Sequence, residues 1–344
     1  MNSKKNYSRS EGATDGQVKD DGNSNLYPYL SISHLIQESD AYLLITPAKN
    51  EEDSLPRLIS SIKKQIIKPV IWVIVDDGSI DTTKKIILKA ECDNIWIYGL
   101  YLSSTNEYNI EEHYSNICQT GFNFAIQLAE QKGLQYNYIA LSDADMIFPD
   151  NYFSNLIEFL HDNHDYGLVS GSLEIILKNG SSYVESKRNP GNDFPIGAAR
   201  IWRKKTFLET GGYRNVRAPD TVSTILAIIK GWKTAKLNNL ICYQTRETGS
   251  KISIWNGYKK RGQRAYYLNS NPLSVMNVIF DLIFISRQRH AIRKSIAYLF
   301  GFLISLIRKD EKISILEVKD YNGSYKRTIN NYYNFYLLLI KKNL

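Results

Sequence analysis

A chain of 344 residues with 43% apolar content is long enough to bury a large core, as one domain or as a domain with an appendage. Lysine and arginine outnumber aspartate and glutamate by 43 to 35, and the excess gathers late in the sequence, which points to a local basic surface rather than a uniformly basic protein. The three cysteines, Cys92, Cys118 and Cys242, lack paired or metal-ligand spacing, which argues against a zinc or disulfide scaffold and for separate thiols in a reducing compartment.

Residues 1–26 are rich in Asn, Ser, Gly, Asp and Lys and hold almost nothing to bury. That composition predicts a disordered tail, and without an apolar stretch it does not read as a secretory signal. From Asp40 the pattern changes. YLLITPAKNEED reads as a strand and its exit loop, and LPRLISSIKKQ, with apolar residues three or four apart, as an amphipathic helix. VIWVIVDDGS supplies a second strand and turn, and TTKKIILKA a second helix, a βαβα opening that favours a parallel sheet. Residues 116–132 predict another helix, leading into the strand of YNYIALSDAD.

Two acidic motifs follow apolar runs of strand length: Asp76 and Asp77 in VIVDDGSIDTT, and Asp143 and Asp145 in YIALSDADM. Both clusters are expected to emerge at the same edge of one sheet and to face a common crevice, a geometry suited to a nucleotide diphosphate and its metal. DDGS is also an ordinary polar turn after a buried strand; NEE before it and DTT with a helix after it make the segment more specific. On the functional reading Asp76 contacts the base, and Asp77 the ribose or the loop itself. Glu51 either shapes that pocket or is an exposed carboxylate at a helix start. In DAD, one carboxylate can turn toward the ribose and the other onto a hard divalent ion, Mg2+ or Mn2+, with Asp145 as the direct ligand.

Further on, TFLETGG reads as a helix ending in a glycine cap, and TVSTILAIIKGWK as another ending at Gly231. Asp220 stands just before this second helix. Two readings are open: a carboxylate serving the helix's first turn, or a general base exposed at the crevice. Arg200, Arg203, Arg261 and Arg264 read as solvated surface charge, with contact to a diphosphate or an anionic acceptor as the alternative.

The distal runs LSVMNVIFDLIFI and IAYLFGFLISLI are strongly apolar, separated by basic residues and followed by RKDEK. Each is shorter than the roughly 20 residues of a spanning helix. They are expected either to lie on an anionic membrane surface or to form a buried helix pair. The closing ISILEVKDYNGSYKRTINNYYNFYLLLI shows no repeat or catalytic spacing, and its NGS is not expected to be glycosylated without a secretion signal. No nucleic-acid module accompanies the basic charge, so nucleic acid is not an expected partner.

Four motifs in order, TPAKNEEDSLPRLISSIKKQ, VIVDDGSIDTT, SDAD and GGYRNVRAPDTVSTILAIIKGWK, resemble those of glycosyltransferase family 2, inverting nucleotide-sugar-dependent enzymes of the GT-A type. The resemblance implies an α/β fold with a Rossmann-like mixed sheet flanked by helices. A catalytic domain would occupy 40–265 and a helical, membrane-associated extension 266–344. It implies nucleoside recognition by Asp76, metal coordination by Asp145, base catalysis by Asp220, and Asp143 near the ribose or a metal-bound water.

Many members pair two acidic residues before the acceptor-side helix, whereas Pro219 precedes Asp220 here, a departure that bears on acceptor preference and base tuning. RGQRAYY carries Gln263 and Arg264 but lacks the tryptophan that follows in processive synthases, which favours transfer of one sugar per binding event. The expected partners are a UDP- or GDP-sugar and a glycan or polyprenyl-linked acceptor, met at the cytoplasmic face of a membrane. The competing readings are a nonenzymatic nucleotide-sugar-binding membrane adaptor and a nucleotidyltransferase. The latter would open on a glycine-rich, basic triphosphate loop, which TPAKNEED is not.

Overall fold

The computed structural model describes residues 40–103, 110–176, 182–184, 194–245, 253–285 and 290–330. The tail expected at 1–26, residues 287–289 between the two apolar runs, and residues 331–344 of the closing segment lie outside these.

The first part alternates strand and helix: β1 (Tyr42–Ala48), α1 (Leu55–Lys63), β2 (Ile71–Asp77), α2 (Thr83–Asp93), β3 (Ile97–Leu102), α3 (Ile110–Gln131) and β4 (Tyr138–Ser142). As the βαβα pattern predicts, β1 runs parallel to β2 and β4, and β2 parallel to β3. These strands are near-continuous apolar runs because both faces of the sheet are covered. Tyr42, Leu44, Trp72 and Ile74 pack into one layer with α1, α2 and α4 (Tyr152–Asp162). The alternate residues Leu43, Ile45, Val73 and Val75 pack on the other face against Cys118, Phe122 and Ala125 of α3.

The remaining strands are β5 (Met146–Ile147), β6 (Tyr166–Ile176), β7 (Ser182–Val184), β8 (Ala199–Arg203) and β9 (Lys233–Gln244), with α5 (Lys204–Glu209) and α6 (Pro219–Ile229) before β9. The sheet order is β3-β2-β1-β4-β8-β6-β9-β5, with β7 beside β6. Strand β8 is antiparallel to both β4 and β6, which makes the sheet mixed and brings the beginning of β8 to the edge where β4 ends. α5 and α6 stop before glycines with positive φ, Gly211 and Gly231, as their sequences predict.

Among the described residues four further helices follow: α7 (Ile254–Tyr267), α8 (Pro272–Phe280) continued by a π-helical turn (Asp281–Ile285), α9 (Ala291–Arg308) and α10 (Leu316–Gly323). This segment is tied to α6, because Val222, Ile225 and Leu226 share a core with Tyr267, Leu268, Ile313 and Val318. α7 and α9 approach backbone to backbone. A Cβ on Gly262 would lie 1.9 Å from the carbonyl oxygen of Tyr298, and one on Gly301 2.0 Å from that of Lys259. Among the described residues no helix is long and apolar enough to cross a membrane.

Gly301→Ala is expected to force α7 and α9 apart and to cost about 1–3 kcal/mol, read as a lower midpoint of thermal unfolding. Gly257→Ala in α7, where an added methyl meets nothing within 4 Å, is expected to be neutral or slightly stabilising.

Candidate active site

Strand register collects the acidic motifs. Ala48 at the end of β1 pairs with Asp76 at the end of β2, and Ser142 at the end of β4 pairs with Ala199 at the start of β8. The segments 49–51, 76–77, 143–145 and 197–199 therefore leave the sheet at one edge, and Asp143 N donates to Ala198 O at 2.8 Å.

Asp77 is 4% exposed, and its Oδ2 accepts from Lys49 Nζ at 2.9 Å and meets His113 Nε2 at 2.8 Å. Its Oδ1 is buried and has no hydrogen-bond partner among the described residues, the kind of acceptor that a ligand N–H or O–H completes. The Asp76 carboxylate, also buried, accepts from Ser79 N at 3.1 Å and closes the turn. Glu51 is buried rather than exposed at a helix start. Its carboxylate accepts from Ser54 Oγ, and its backbone N donates to Thr83 Oγ1 at 2.7 Å.

Asp143 reaches the surface, but its carboxyl is enclosed by protein. Desolvation first, then the charges of Asp145, Asp220 and Glu51, push it up to about 7, against the lowering effect of Tyr114 Oη, which donates to Oδ1 at 2.8 Å. The buried carboxylate of Asp145 accepts from Gln244 Nε2 at 3.1 Å to each oxygen, a contact made possible because β5 pairs Met146 with Gln244. This arrangement fits Mg2+ or Mn2+ held by one carboxylate and a ligand's phosphates. Among the described residues no three His, Cys, Asp or Glu side chains could form a cage, and the repulsion raising Asp143 is what a cation at Asp145 relieves.

Asp220 lies in the first turn of α6, after Ala218 in the left-handed region at φ 55°. Its side chain is 40% exposed. Tyr213 Oη donates to Oδ1, and burial followed by the Asp220 charge holds the Tyr213 phenol well above its usual range, so it remains a donor. Oδ2 borders Gly197, where a Cβ would come within 2.2 Å of it.

Arg200 corrects the sequence reading of a solvated charge. It is 1% exposed, with Nε donating to Ile196 O at 2.8 Å, Nη2 to Pro195 O at 2.9 Å, and Nη1 to Asp220 O at 3.0 Å and Ser223 Oγ at 3.1 Å. Its Nη2 lies 4.0 Å from Asp220 Oδ1. Arg203 is also structural, donating to Tyr166 O at 2.7 Å and Asn163 O at 3.1 Å. Arg261 and Arg264 are exposed, as expected.

Sequence reasoning missed Lys49, His113, Tyr114, Tyr213 and Gln244. Lys49 stands in TPAKNEED and Tyr213 in GGYRNVRAPD without being singled out there; His113, Tyr114 and Gln244 reach the site through α3 and β9, and no local pattern marks them. Arg200→Met, which leaves this set of oxygens without their donor, is expected to lower the unfolding free energy by roughly 2–4 kcal/mol, measured by urea denaturation.

The model of glycosyl transferase family 2 matches residues 43–224, which contain every carboxylate described above. A search of curated proteins found no match. Among solved structures the chain is similar to residues 1–349 of S. aureus TarS in complex with UDP-GlcNAc, at 17% identity over 85% of this chain and 89% of that one, with a TM-score of 0.49. It is similar to another S. aureus TarS chain at 18% identity over 85% of this chain and 54% of that one, TM-score 0.47. The mannosyltransferase PcManGT from Pyrobaculum calidifontis, in complex with GDP-Man and Mn2+, is similar at 13% identity over 85% of each chain, TM-score 0.46. With more than half of its length matched by the family model, and with the mixed, helix-flanked sheet of the GT-A type, the chain belongs to glycosyl transferase family 2 and is a transferase.

Proposed function

We propose that the protein is an inverting transferase that moves one sugar from a UDP- or GDP-sugar to a hydroxyl or phosphate oxygen of a lipid-linked acceptor at the cytoplasmic face of a membrane. The observation that carries this reading is the meeting of Asp220 with the Asp143 and Asp145 pair across Gly197 and Ala198, at the edge that also holds Asp76 and Asp77. A donor bound there has its base and ribose against Asp76 and Asp77, with Glu51 shaping the pocket wall and Asp143 on the ribose side. Asp145 would hold Mg2+ or Mn2+, which when bound offsets the charge of the diphosphate.

For a hydroxyl acceptor, Asp220 takes the proton as the acceptor oxygen bonds to the anomeric carbon. The bond from that carbon to the diphosphate oxygen breaks on the opposite face, so the configuration inverts. Tyr213 keeps one carboxylate oxygen occupied, which leaves the oxygen beside Gly197 to receive the proton. An ionised phosphate acceptor needs no such transfer, so the effect of Asp220→Asn separates the two acceptor classes.

The test is nucleotide diphosphate release from a panel of UDP- and GDP-sugars with Mg2+ or Mn2+ and membrane lipid extract, followed by product isolation and determination of the anomeric configuration. One donor is expected to support metal-dependent release. Asp145→Ala should abolish the metal dependence, and Asp220→Asn should lower kcat by about 10²–10⁴ with a hydroxyl acceptor. A retained configuration, or full activity of Asp220→Asn on a hydroxyl acceptor, would overturn the mechanism. Gly197→Ala, whose methyl would overlap Oδ2, is expected to lower kcat at least about tenfold while leaving the KM for the donor unchanged.

A further inference from the structure

Among the described residues, the α9 helix packs its small-residue side and leaves a strongly apolar side exposed. Ser295, Ala297, Tyr298, Gly301, Phe302 and Ser305 are buried, and the closest approach of this side is to α7. Ile292, Ile296, Leu299, Leu303, Leu306 and Ile307 are all exposed, Ile307 at 79%. At 100° per residue these six fall in one sector of about 100°, opposite the buried set, along a helix about 27 Å long. Phe300, at the margin of that sector, lies tilted against Trp255 with ring centroids 6.0 Å apart and Lys259 Nζ 5.5 Å from its ring. On the neighbouring α8 and its π turn, Phe280 and Phe284 are exposed with ring centroids 4.9 Å apart.

Charge narrows the choice of occupant. Residues 253–330 carry 14 Lys and Arg against five Asp and Glu, an excess of nine, whereas the whole chain's excess is eight. The basic character therefore belongs to this helical segment, and the rest of the chain is close to neutral. Between Pro272 and Lys309 Asp281 is the sole acidic residue, against six Lys and Arg. Both ends of α9 are basic, with Arg293 and Lys294 at one and Arg308 and Lys309 at the other. Two copies of α9 laid face to face would bring cationic ends together in either orientation, which disfavours a self-complementary interface.

We infer that the exposed face of α9 is the surface by which this protein lies on an anionic lipid bilayer, with the helix in the plane of the headgroups and its terminal Lys and Arg on the lipid phosphates. Such a helix lies on the membrane rather than through it, since its other side is seated on α7 and no described helix is long and apolar enough to span. The inference deepens the lipid-linked acceptor reading and rests on it for its functional meaning: α7 and α10 share a core with α6, so the docked face and the helix of Asp220 move as one unit.

Vesicle co-sedimentation of the full chain tests it without turnover. Binding is expected to phosphatidylcholine vesicles containing about one-third phosphatidylglycerol, far more weakly to phosphatidylcholine alone, and less at high salt. Ile296→Glu combined with Leu303→Glu should lower partitioning about tenfold or more, and Arg308→Gln with Lys309→Gln about fivefold per charge at low salt. Both pairs are exposed, so thermal midpoint and donor-nucleotide binding should stay as in the wild type. Asp220→Asn should bind vesicles like the wild type, which keeps this test separate from the catalytic one. No binding to anionic vesicles, or equal binding by the Glu variant, overturns the inference. It is also overturned if the Glu variant dissolves a dimer that forms without lipid, which would assign the face to a second copy. Binding that appears only after deletion of 331–344 would assign the face to the chain's own end.

Discussion

The guanidinium of Arg200 is shut away from solvent, and a buried cation is tolerated only when oxygens surround it. Here they come from the loop before β8, from the first turn of α6 and, at 4.0 Å, from the carboxylate of Asp220. One side chain thereby fixes where α6 begins relative to the end of the sheet. Tyr213 adds a second constraint from the α5–α6 connection, itself packed against Phe122 and Trp202. The exposed carboxylate is thus mounted on groups that are not exposed, and its position is set by the core rather than by a loop.

Across Gly197 and Ala198 the electrostatic situation is reversed. Asp143 is desolvated by burial and crowded by Asp145, with Asp220 and Glu51 within range, and it rises to about 7 as a result. Carboxylates so arranged favour cationic occupants and groups that bring protons or hydrogen-bond donors. Asp77 answers the same pressure differently, through Lys49 and His113 on one oxygen, while the other has no hydrogen-bond partner among the described residues. The sheet edge therefore has two parts: one where Asp77 is held by Lys49 and His113, and one where Asp143 and Asp145 are held by the neutral donors Tyr114 and Gln244.

The helical segment after β9 repeats this division of labour in apolar terms. The glycines at 262 and 301 allow α7 and α9 to touch backbone to backbone, which gives a narrow, rigid pair and spends the small side of α9 on that contact. The large apolar residues are left outside. Because α10 and the end of α7 pack on α6, whatever the outer face of α9 meets is held in fixed relation to Asp220.

The parallel opening of the sheet, the glycine-capped helices and the shared edge of DDGS and DAD were legible in the sequence, because strand period, helix caps and chain exit after an apolar run are local properties. Family membership was legible for a related reason: four short motifs carry it in order. The roles of Arg200, Tyr213, His113 and Gln244 were not. Arg200 sits in a run of basic residues that reads as solvated charge, and only the antiparallel insertion of β8 beside β4 buries it. His113 reaches Asp77 across 36 residues and Gln244 reaches Asp145 across 99, distances at which sequence leaves no periodic trace. The apolar runs near the C-terminus showed that something hydrophobic would be covered. Which side of α9 is covered by α7 was decided by packing: the side carrying Ser295, Gly301 and Ser305 is narrow enough for the close contact that Gly262 and Gly301 allow, and the larger Ile and Leu side is left facing outward.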